Sequence, residues 1–292
     1  GTTEMNKVEG NRIGVEIRVL QSPVECQRVQ LLQQRVWESS DIDLVPAHML
    51  ITITKNGGVL LGAFALDGPS ETGGMVGFVL GWPGYGTDHR GQLSQKHCSH
   101  MVAVIPEYQR RGIGLALKFA QREAVLAQGI TEWITWTFDP MQRINAIFNL
   151  NRLGTISNTY LLDAYGNLDD AINFGLPTDR LQVDWWLRSP RVLAATSTER
   201  TEHAWPAEEL HIVSAPDTKT ISRSNLSRLG VEQTNSLAIP IPHTVNPLED
   251  ARMLQWHHFL REALQTAFGH GYHLTNCVCL PGVGWHYILA LC

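Results

Sequence analysis

The chain has 292 residues, a formal net charge of -5, 43% hydrophobic and 17% charged residues. That length allows one large domain or two unequal ones around a sizeable core, and the acidic balance argues against a nucleic-acid binder that works through overall positive potential. Five cysteines without a CxxC pair favour neither a disulfide framework nor a cysteine zinc site, and with no basic leader and no apolar run of about 18 residues the expectation is a cytoplasmic protein without membrane association.

In chain order, Gly14 to Gln21 (GVEIRVLQ) reads as a strand. Ser22-Pro23-Val24-Glu25 then supplies an N-cap, a proline at the first helical position and a capping-box glutamate, and the helix carries Val29, Leu32 and Val36 on one face. The apolar runs Val59 to Leu66 and Gly74 to Trp82, separated by DGPSETG, predict an antiparallel hairpin, followed by a polar loop to about Lys96. His97 to Val104 (HCSHMVAV) is the next strand. From Gly112 to Gln128, Ile113, Ala116, Leu117, Ala120, Ala124 and Ala127 recur at helical spacing, with Gly129 at the C-cap.

The strand Glu132 to Phe138 follows, then a helix-like stretch across NAIFNLNRLG and the strands TISNTYLL and RLQVDWWL. The order of elements predicts an α/β layout with a mixed sheet. Arg191 to about Asn235 is polar and aperiodic and reads as a long connection. Beyond it come the strand LAIPIP, a helix from Leu248 to Phe268, and the strand pair YHLTNCVCL and WHYILALC around Pro281-Gly282. The expected organisation is a domain over 14–190, a linker or irregular segment over 191–235, and a strand-helix-strand-strand extension over 236–292 packed on the first domain.

Gly112 and Gly114 sit in the first turn of a helix, where glycine costs about 1 kcal/mol relative to alanine. A helix start exposes N–H groups and about half a positive charge, and glycine lets the backbone approach a bulky anion. Arg110 and Arg111 add charge nearby. Tight helix-to-sheet packing would account for the same glycines.

The stretch Met101 to Leu117 (MVAVIPEYQRRGIGLAL) resembles the acyl-CoA-binding segment of the GNAT superfamily of N-acyltransferases, whose signature [Q/R]-x-x-G-x-[G/A] appears here as Gln109-Arg110-Arg111-Gly112-Ile113-Gly114. The resemblance extends over roughly Gly14 to Arg188. It implies the GNAT fold, with a small C-terminal α/β extension, and a central strand that splays from its neighbour to admit pantetheine. It places Val102 and Val104 along the pantetheine arm and Gln109, Arg110, Arg111, Gly112, Ile113, Gly114 and Leu115 around the pyrophosphate. Plain core packing would explain the two valines equally.

A family segment that carries a cofactor-holding asparagine and a thiolate-protonating tyrosine aligns with Ala146 to Gly154. It puts Leu150 at the tyrosine position and Arg143 at the asparagine position, leaving Asn145 as the candidate cofactor contact. Tyr160 and Tyr165 lie beyond and are candidate acids.

Acyl transfer needs the acceptor amine neutral, so a base belongs near the central strand. His100 is the candidate general base, spaced by even numbers from Val102 and Val104, with an imidazole suited to neutral pH. A histidine merely hydrogen-bonded at a sheet end is the alternative. Cys98 reads as buried filler. His257-His258 point about 100° apart on a helix and His270/His273 cross a junction, so no metal site is expected. Asp179-Arg180 is read as a surface ion pair, with a carboxylate-binding role as the other option.

The resemblance thus implies an acyl-CoA-dependent N-acyltransferase using acetyl-CoA or another acyl-CoA, with an acetyl or larger acyl group such as succinyl passing to a small amine or amino acid. A catalytically inactive CoA-binding regulatory or interaction module is the alternative. Oligomeric state does not follow from the sequence.

Overall fold

The computed structural model describes residues 13–37, 44–166, 177–197, 205, 210–214, 235–243 and 250–291. The chain divides into two compact units, Gly1–Thr135 and Trp136–Cys292, and the boundary falls inside a strand.

In the first unit, β1 (Glu16–Val19), β2 (Val59–Phe64), β3 (Met75–Thr87) and β4 (Leu93–Val104) form an antiparallel sheet in that order. The start of β5 (Trp133–Phe138) joins β4 in parallel. Helix α1 (Pro23–Trp37) begins as its sequence predicts: the Ser22 hydroxyl accepts from the Glu25 N–H at 3.3 Å and the Glu25 carboxylate accepts from the Ser22 N–H at 3.1 Å, which satisfies orphan donors reciprocally. Helices α1 and α3 (Ile113–Gln128) pack on the sheet, and Leu20, Leu32, Leu50, Phe78, Leu80, Ile105 and Leu117 fill the core.

Two features of this unit depart from the sequence reading. Helix α2 (Ala47–Lys55) occupies a stretch with no expected element; its ITIT run is β-branched, and packing of Leu50 overrides the strand-like propensity. The expected polar loop after Trp82 is a continued hairpin, because β3 runs to Thr87 and pairs with β4 from Leu93. Asp88 builds its turn by accepting from the N–H groups of Arg90 and Gln92 and from the Ser94 hydroxyl.

In the second unit, β6 (Ile156–Leu161) pairs antiparallel with β7 (Arg180–Trp186) and β10 (Tyr272–Leu280). Strand β11 (Gly284–Leu291) pairs antiparallel with β10 and with β9 (Ser236–Pro240), and β8 (His211–Ile212) runs parallel to β9. Helix α4 (Arg143–Ala146) passes into a π-helical segment, Ile147–Arg152. Helix α6 (Asp250–Gly269) lies on β6 and β10, and the core gathers Leu150, Leu181, Val183, Leu260, Leu264, Tyr272, Leu274 and Tyr287. The Asn151 side chain grips β10 from both sides of one residue: its amide donates to Cys277 O at 2.7 Å and its oxygen accepts from Cys277 N at 2.9 Å.

The long connection expected from Arg191 onward is helical at its start. Helix α5 (Pro190–Thr196) follows Ser189, whose hydroxyl accepts from Val192 N at 3.3 Å, the same Ser-Pro opening as in α1. Most of 198–234 lies outside the described residues, as does the expected helix start at Leu248. Among the described residues Cys26, Cys98, Cys277 and Cys279 are free thiols, and no helix is long and apolar enough to cross a membrane.

Candidate active site

Strand β4 is held asymmetrically. On one side it pairs with β3 along its whole length; on the other, its parallel pairing with β5 consists of His97↔Ile134 and Cys98↔Thr135. From Ser99 on, β3 is the strand that β4 pairs with among the described residues. Ile105 donates to Val76 O at 2.9 Å, and because antiparallel pairs alternate between bonded and non-bonded residues, Val104 and Val102 turn their N–H and C=O groups away from β3. That edge is an open row of main-chain donors and acceptors, and the first acceptor is already used: the Gln109 side-chain amide donates to Val104 O at 3.0 Å.

The register also slips by one residue here. Leu80 faces Met101 and Gly81 faces Ser99, so His100 is the extra residue of a β-bulge. Its side chain is exposed, as is that of Val102, while Ala103 is buried. The imidazole lies 4.9 Å from the Trp82 ring, tilted by 46°, and the partial desolvation on that side pushes its pKa below the ordinary histidine value although the residue keeps its solvent access.

Beyond the open edge the chain makes a 3-10 turn (Pro106–Tyr108) and then two left-handed residues, Arg110 at φ 62° and Gly112 at φ 85°. Such residues curl a loop so that its N–H groups converge, as in anion-binding nests. Gly112 is the N-cap of α3, with no side chain capping that end. Because the first intrahelical bond runs from Ala116 N to Gly112 O at 3.0 Å, the N–H groups of Gly112, Ile113, Gly114 and Leu115 are the four that an α-helix leaves unpaired.

Each glycine has its own reason. Gly112 needs its positive φ, whereas a β-carbon on Gly114 would meet open space, with no heavy atom within 4 Å beyond its chain neighbours and its own helix backbone. Gln109 N is already bonded to Pro106 O at 3.2 Å. Arg110 and Arg111 are exposed, and Arg111 donates to Glu107 O at 2.8 Å while covering the Tyr108 ring at 4.5 Å. Ile113 contributes its main chain only, since its side chain is 1% exposed.

An initial strand and helix, an antiparallel hairpin, a central strand and a glycine turn opening a helix stand in the order that the resemblance implies. The architecture is α/β with a mixed sheet. No family model matches the chain, and no curated protein matches it. Similar solved structures include NAA60 of Arabidopsis thaliana with a bisubstrate analogue, at 13% identity over 59% of this chain and 97% of that one, with a TM-score of 0.47. The ribosomal-protein-S18-alanine N-acetyltransferase of Escherichia coli is similar at 15% identity over 58% of this chain and 92% of that one, with a TM-score of 0.42. The GNAT family N-acetyltransferase YhbS of Escherichia coli, in complex with CoA, is similar at 21% identity over 41% of this chain and 61% of that one, with a TM-score of 0.32.

Of the residues singled out in the sequence, His100, Val102, Val104 and Gln109 to Leu115 lie on β4 and the start of α3 in the first unit; the even spacing of His100 from the two valines is corrected by the bulge, because Val102 and Val104 stand opposite Val79 and Gly77 on the face that Ser99 takes opposite Gly81, whereas His100 meets Trp82. Asn145 and Tyr160 belong to the second unit. Asn145 is exposed on α4. Leu150 is fully buried in the π-helical segment, and Arg143 donates to His243 O at 2.7 Å and covers the Trp285 ring at 4.7 Å. The Tyr160 hydroxyl donates to Asp179 Oδ2 at 2.9 Å, and burial, together with that carboxylate, pushes its pKa up. Tyr165 is exposed, its hydroxyl 2.9 Å from Thr137 Oγ1.

The expected surface ion pair Asp179-Arg180 is corrected. Asp179 is fully buried, and its partner is Arg261 of α6, which donates from Nε at 2.7 Å and from Nη2 at 2.8 Å. Asp163 N donates to the same carboxylate at 3.0 Å. Burial raises the Asp179 pKa, but Arg261, the Asp163 N–H and Tyr160 outweigh it and hold the group below the usual carboxylate value. Arg180 instead donates to the Asp179 main-chain oxygen at 2.8 Å and covers the Tyr165 ring at 5.3 Å.

Sequence reading missed a second group. His97, Ser99, Lys118 and Gln121 are buried together between β4 and α3. Three of them sit at positions that a hydrophobicity pattern assigns to solvent or to a strand's polar face, and nothing local marks them as partners. Among the described residues no cluster of His, Cys, Asp and Glu is arranged to hold a metal.

Proposed function

We propose that this chain is an acyl-CoA-dependent N-acyltransferase that passes an acetyl or larger acyl group, such as succinyl, to the amine of a small molecule or amino acid by direct attack in a ternary complex. The observation that carries this reading is the uncapped glycine start of α3, with four unpaired N–H groups, placed after the open edge of β4. A diphosphate would accept from Gly112, Ile113, Gly114 and Leu115, with Arg110 and Arg111 adding positive potential. The amide groups of a pantetheine arm would bond to Val102 and to the Val104 N–H as an added strand does.

In the transfer step the neutral amine nitrogen attacks the thioester carbonyl, the C–N bond forms, the C–S bond breaks and CoA leaves as its thiolate. His100 takes the amine proton, directly or through one water; its lowered pKa keeps it in the basic form at neutral pH. Asn145 is the candidate side-chain contact to the cofactor. The Tyr160 proton is already engaged by Asp179, so the leaving thiolate is protonated by solvent in this reading. Acyl-CoA and an amine are the partners, and the expected compartment is the cytoplasm.

Leu150 at the tyrosine position favours a second reading, a CoA-binding module without turnover. A thiol-release assay across an amine panel separates the two. CoA release that depends on the acceptor supports the enzyme; acyl-CoA binding with no release under any acceptor supports the module. Acyl-CoA that neither binds nor raises the melting temperature refutes both.

A further inference from the structure

Beneath the bulge, on the face of β4 turned to α3, His97, Ser99, Lys118 and Gln121 are 1%, 8%, 2% and 0% exposed. Lys118 Nζ donates to Ser99 Oγ and to Gln121 Oε1, each at 2.9 Å, and the Ser99 hydroxyl donates to Gln121 Oε1 at 2.9 Å. The Gln121 amide nitrogen lies 3.3 Å from His97 Nε2. An amide nitrogen only donates, so His97 Nε2 accepts, and the ring is neutral with its proton on Nδ1. Burial, aided by the Lys118 charge, holds the His97 pKa down at about 4, in agreement with that assignment. Burial likewise pushes Lys118 well below its ordinary value.

The hollow that holds this group is made by a missing side chain. A β-carbon on Gly81 would stand 2.2 Å from His97 Nε2, 2.8 Å from Gln121 Nε2 and 2.7 Å from Cys98 O. Gly81 pairs with Ser99, the last pair before the bulge. Leucine and alanine would fill this face of α3 without any polar group to satisfy. Hydrogen bonds, unlike apolar contacts, are directional, and they distinguish one register from a neighbouring one. A slip of one residue would turn Ser99 and His97 away from α3 and leave Lys118 and Gln121 without them. Ser99 must face α3 for the network to close, and the extra residue then falls at His100.

We propose that Ser99, Lys118 and Gln121 are positioning residues for the transfer step: seated in the hollow at Gly81, they pin the bulge to His100 and so fix the direction of its imidazole and of the open main-chain edge at Val102. This rests on the acyltransferase reading above. The network reaches α3 one turn beyond the unpaired N–H groups, so it sets the geometry of the reaction rather than the hold on the diphosphate.

The test compares Ser99→Ala, Ser99→Thr and Gln121→Met with the wild type for acetyl-CoA affinity, kcat, pH profile and the ring resonances of His100 across a pH titration. Ser99→Ala and Gln121→Met are expected to lower kcat at least tenfold, to leave acetyl-CoA affinity within twofold, and to move the His100 midpoint. Ser99→Thr, which keeps the hydroxyl, is expected to recover most of the rate. Folded Ser99→Ala and Gln121→Met proteins with wild-type kcat and an unmoved His100 titration would overturn the proposal, as would losses of kcat and affinity in equal proportion. The NMR titration reads the bulge without turnover. A wild type that transfers no acyl group therefore sinks the acyltransferase reading, whereas unmoved His100 resonances in Ser99→Ala sink this one.

Discussion

Replacing Gly114 by Asp should separate the stability of the fold from its hold on an anion, because the two move in opposite directions. The new β-carbon has no heavy atom within 4 Å beyond its chain neighbours and its own helix backbone, so the side chain enters without displacing a neighbour. Aspartate is a better helix former than glycine by about 0.3 kcal/mol, and an acidic group in a first turn contributes roughly 0.3 to 1 kcal/mol. The unliganded protein should gain up to about 1 kcal/mol, or about 2 °C for a chain of this size. The same carboxylate stands where the diphosphate is to sit, and like unit charges about 4 Å apart repel by about 1 to 4 kcal/mol between bulk water and a protein surface.

With CoA at about a hundred times the wild-type Kd, binding raises stability by about 2.7 kcal/mol, and a thirtyfold loss of affinity leaves about 0.9 kcal/mol. Thermal melts with and without CoA read both effects. Gly114→Ala serves as the control: the signature accepts alanine there, so it should gain stability and keep the CoA response. If Gly114→Asp retained the full wild-type CoA shift, the start of α3 would not face a diphosphate, and the assignment of Gly112 to Leu115 would fail.

His100→Ala should lower kcat by about a hundredfold to ten-thousandfold, the usual worth of a general base, with acyl-CoA affinity unchanged by calorimetry. Because the base works deprotonated and partial desolvation holds the imidazole below its ordinary value, wild-type kcat/KM should rise with pH along a limb whose midpoint lies below about pH 6.5. Gly112→Ala should cost about 1 to 2 kcal/mol in the unliganded protein, since its φ of 85° is left-handed, a sign opposite to that at Gly114. Asp179→Asn should destabilise by about 3 to 5 kcal/mol by leaving Arg261 without its charge partner. Asp179 is held below its unfolded value, so its contribution is present above about pH 4 and lost as pH falls through the folded pKa; the Asn variant should lack that component in acid melts. His97, held at about 4, contributes stability above about pH 6.5 that is lost between there and about pH 4, and His97→Gln should flatten that part of the pH-stability curve.

Elements written in local chemistry were legible before any coordinates. The Ser22-Pro23/Glu25 cap, the apolar spacing of α3, the glycine at its C-cap and the β2–β3 hairpin each follow from a few adjacent residues. Helix α2 was not, because Ile51 to Thr54 carry strand-like side chains whose helical state is decided by what Leu50 meets in the core. The bulge at His100 belongs to two strands at once; counting by twos along β4 passes through it unseen. Lys118 and Gln121 look like solvent positions on a helical wheel, and their partners lie in another element. Asp179 sits beside Arg180 in the chain yet is satisfied by Arg261, which no spacing rule connects to it. The glycine turn was readable because backbone N–H groups, whose direction depends on φ rather than on distant contacts, supply its chemistry.

The paired amide contacts between Asn151 and the backbone at Cys277 carry a practical warning for anyone trimming this chain. Cutting before β9 would remove the strands that saturate this amide and cover Leu150, Leu181 and Val183. What remained of the second unit would bear a bare oily surface and a stranded polar hook, and would come out of a cell as inclusion bodies rather than as a smaller version of the protein.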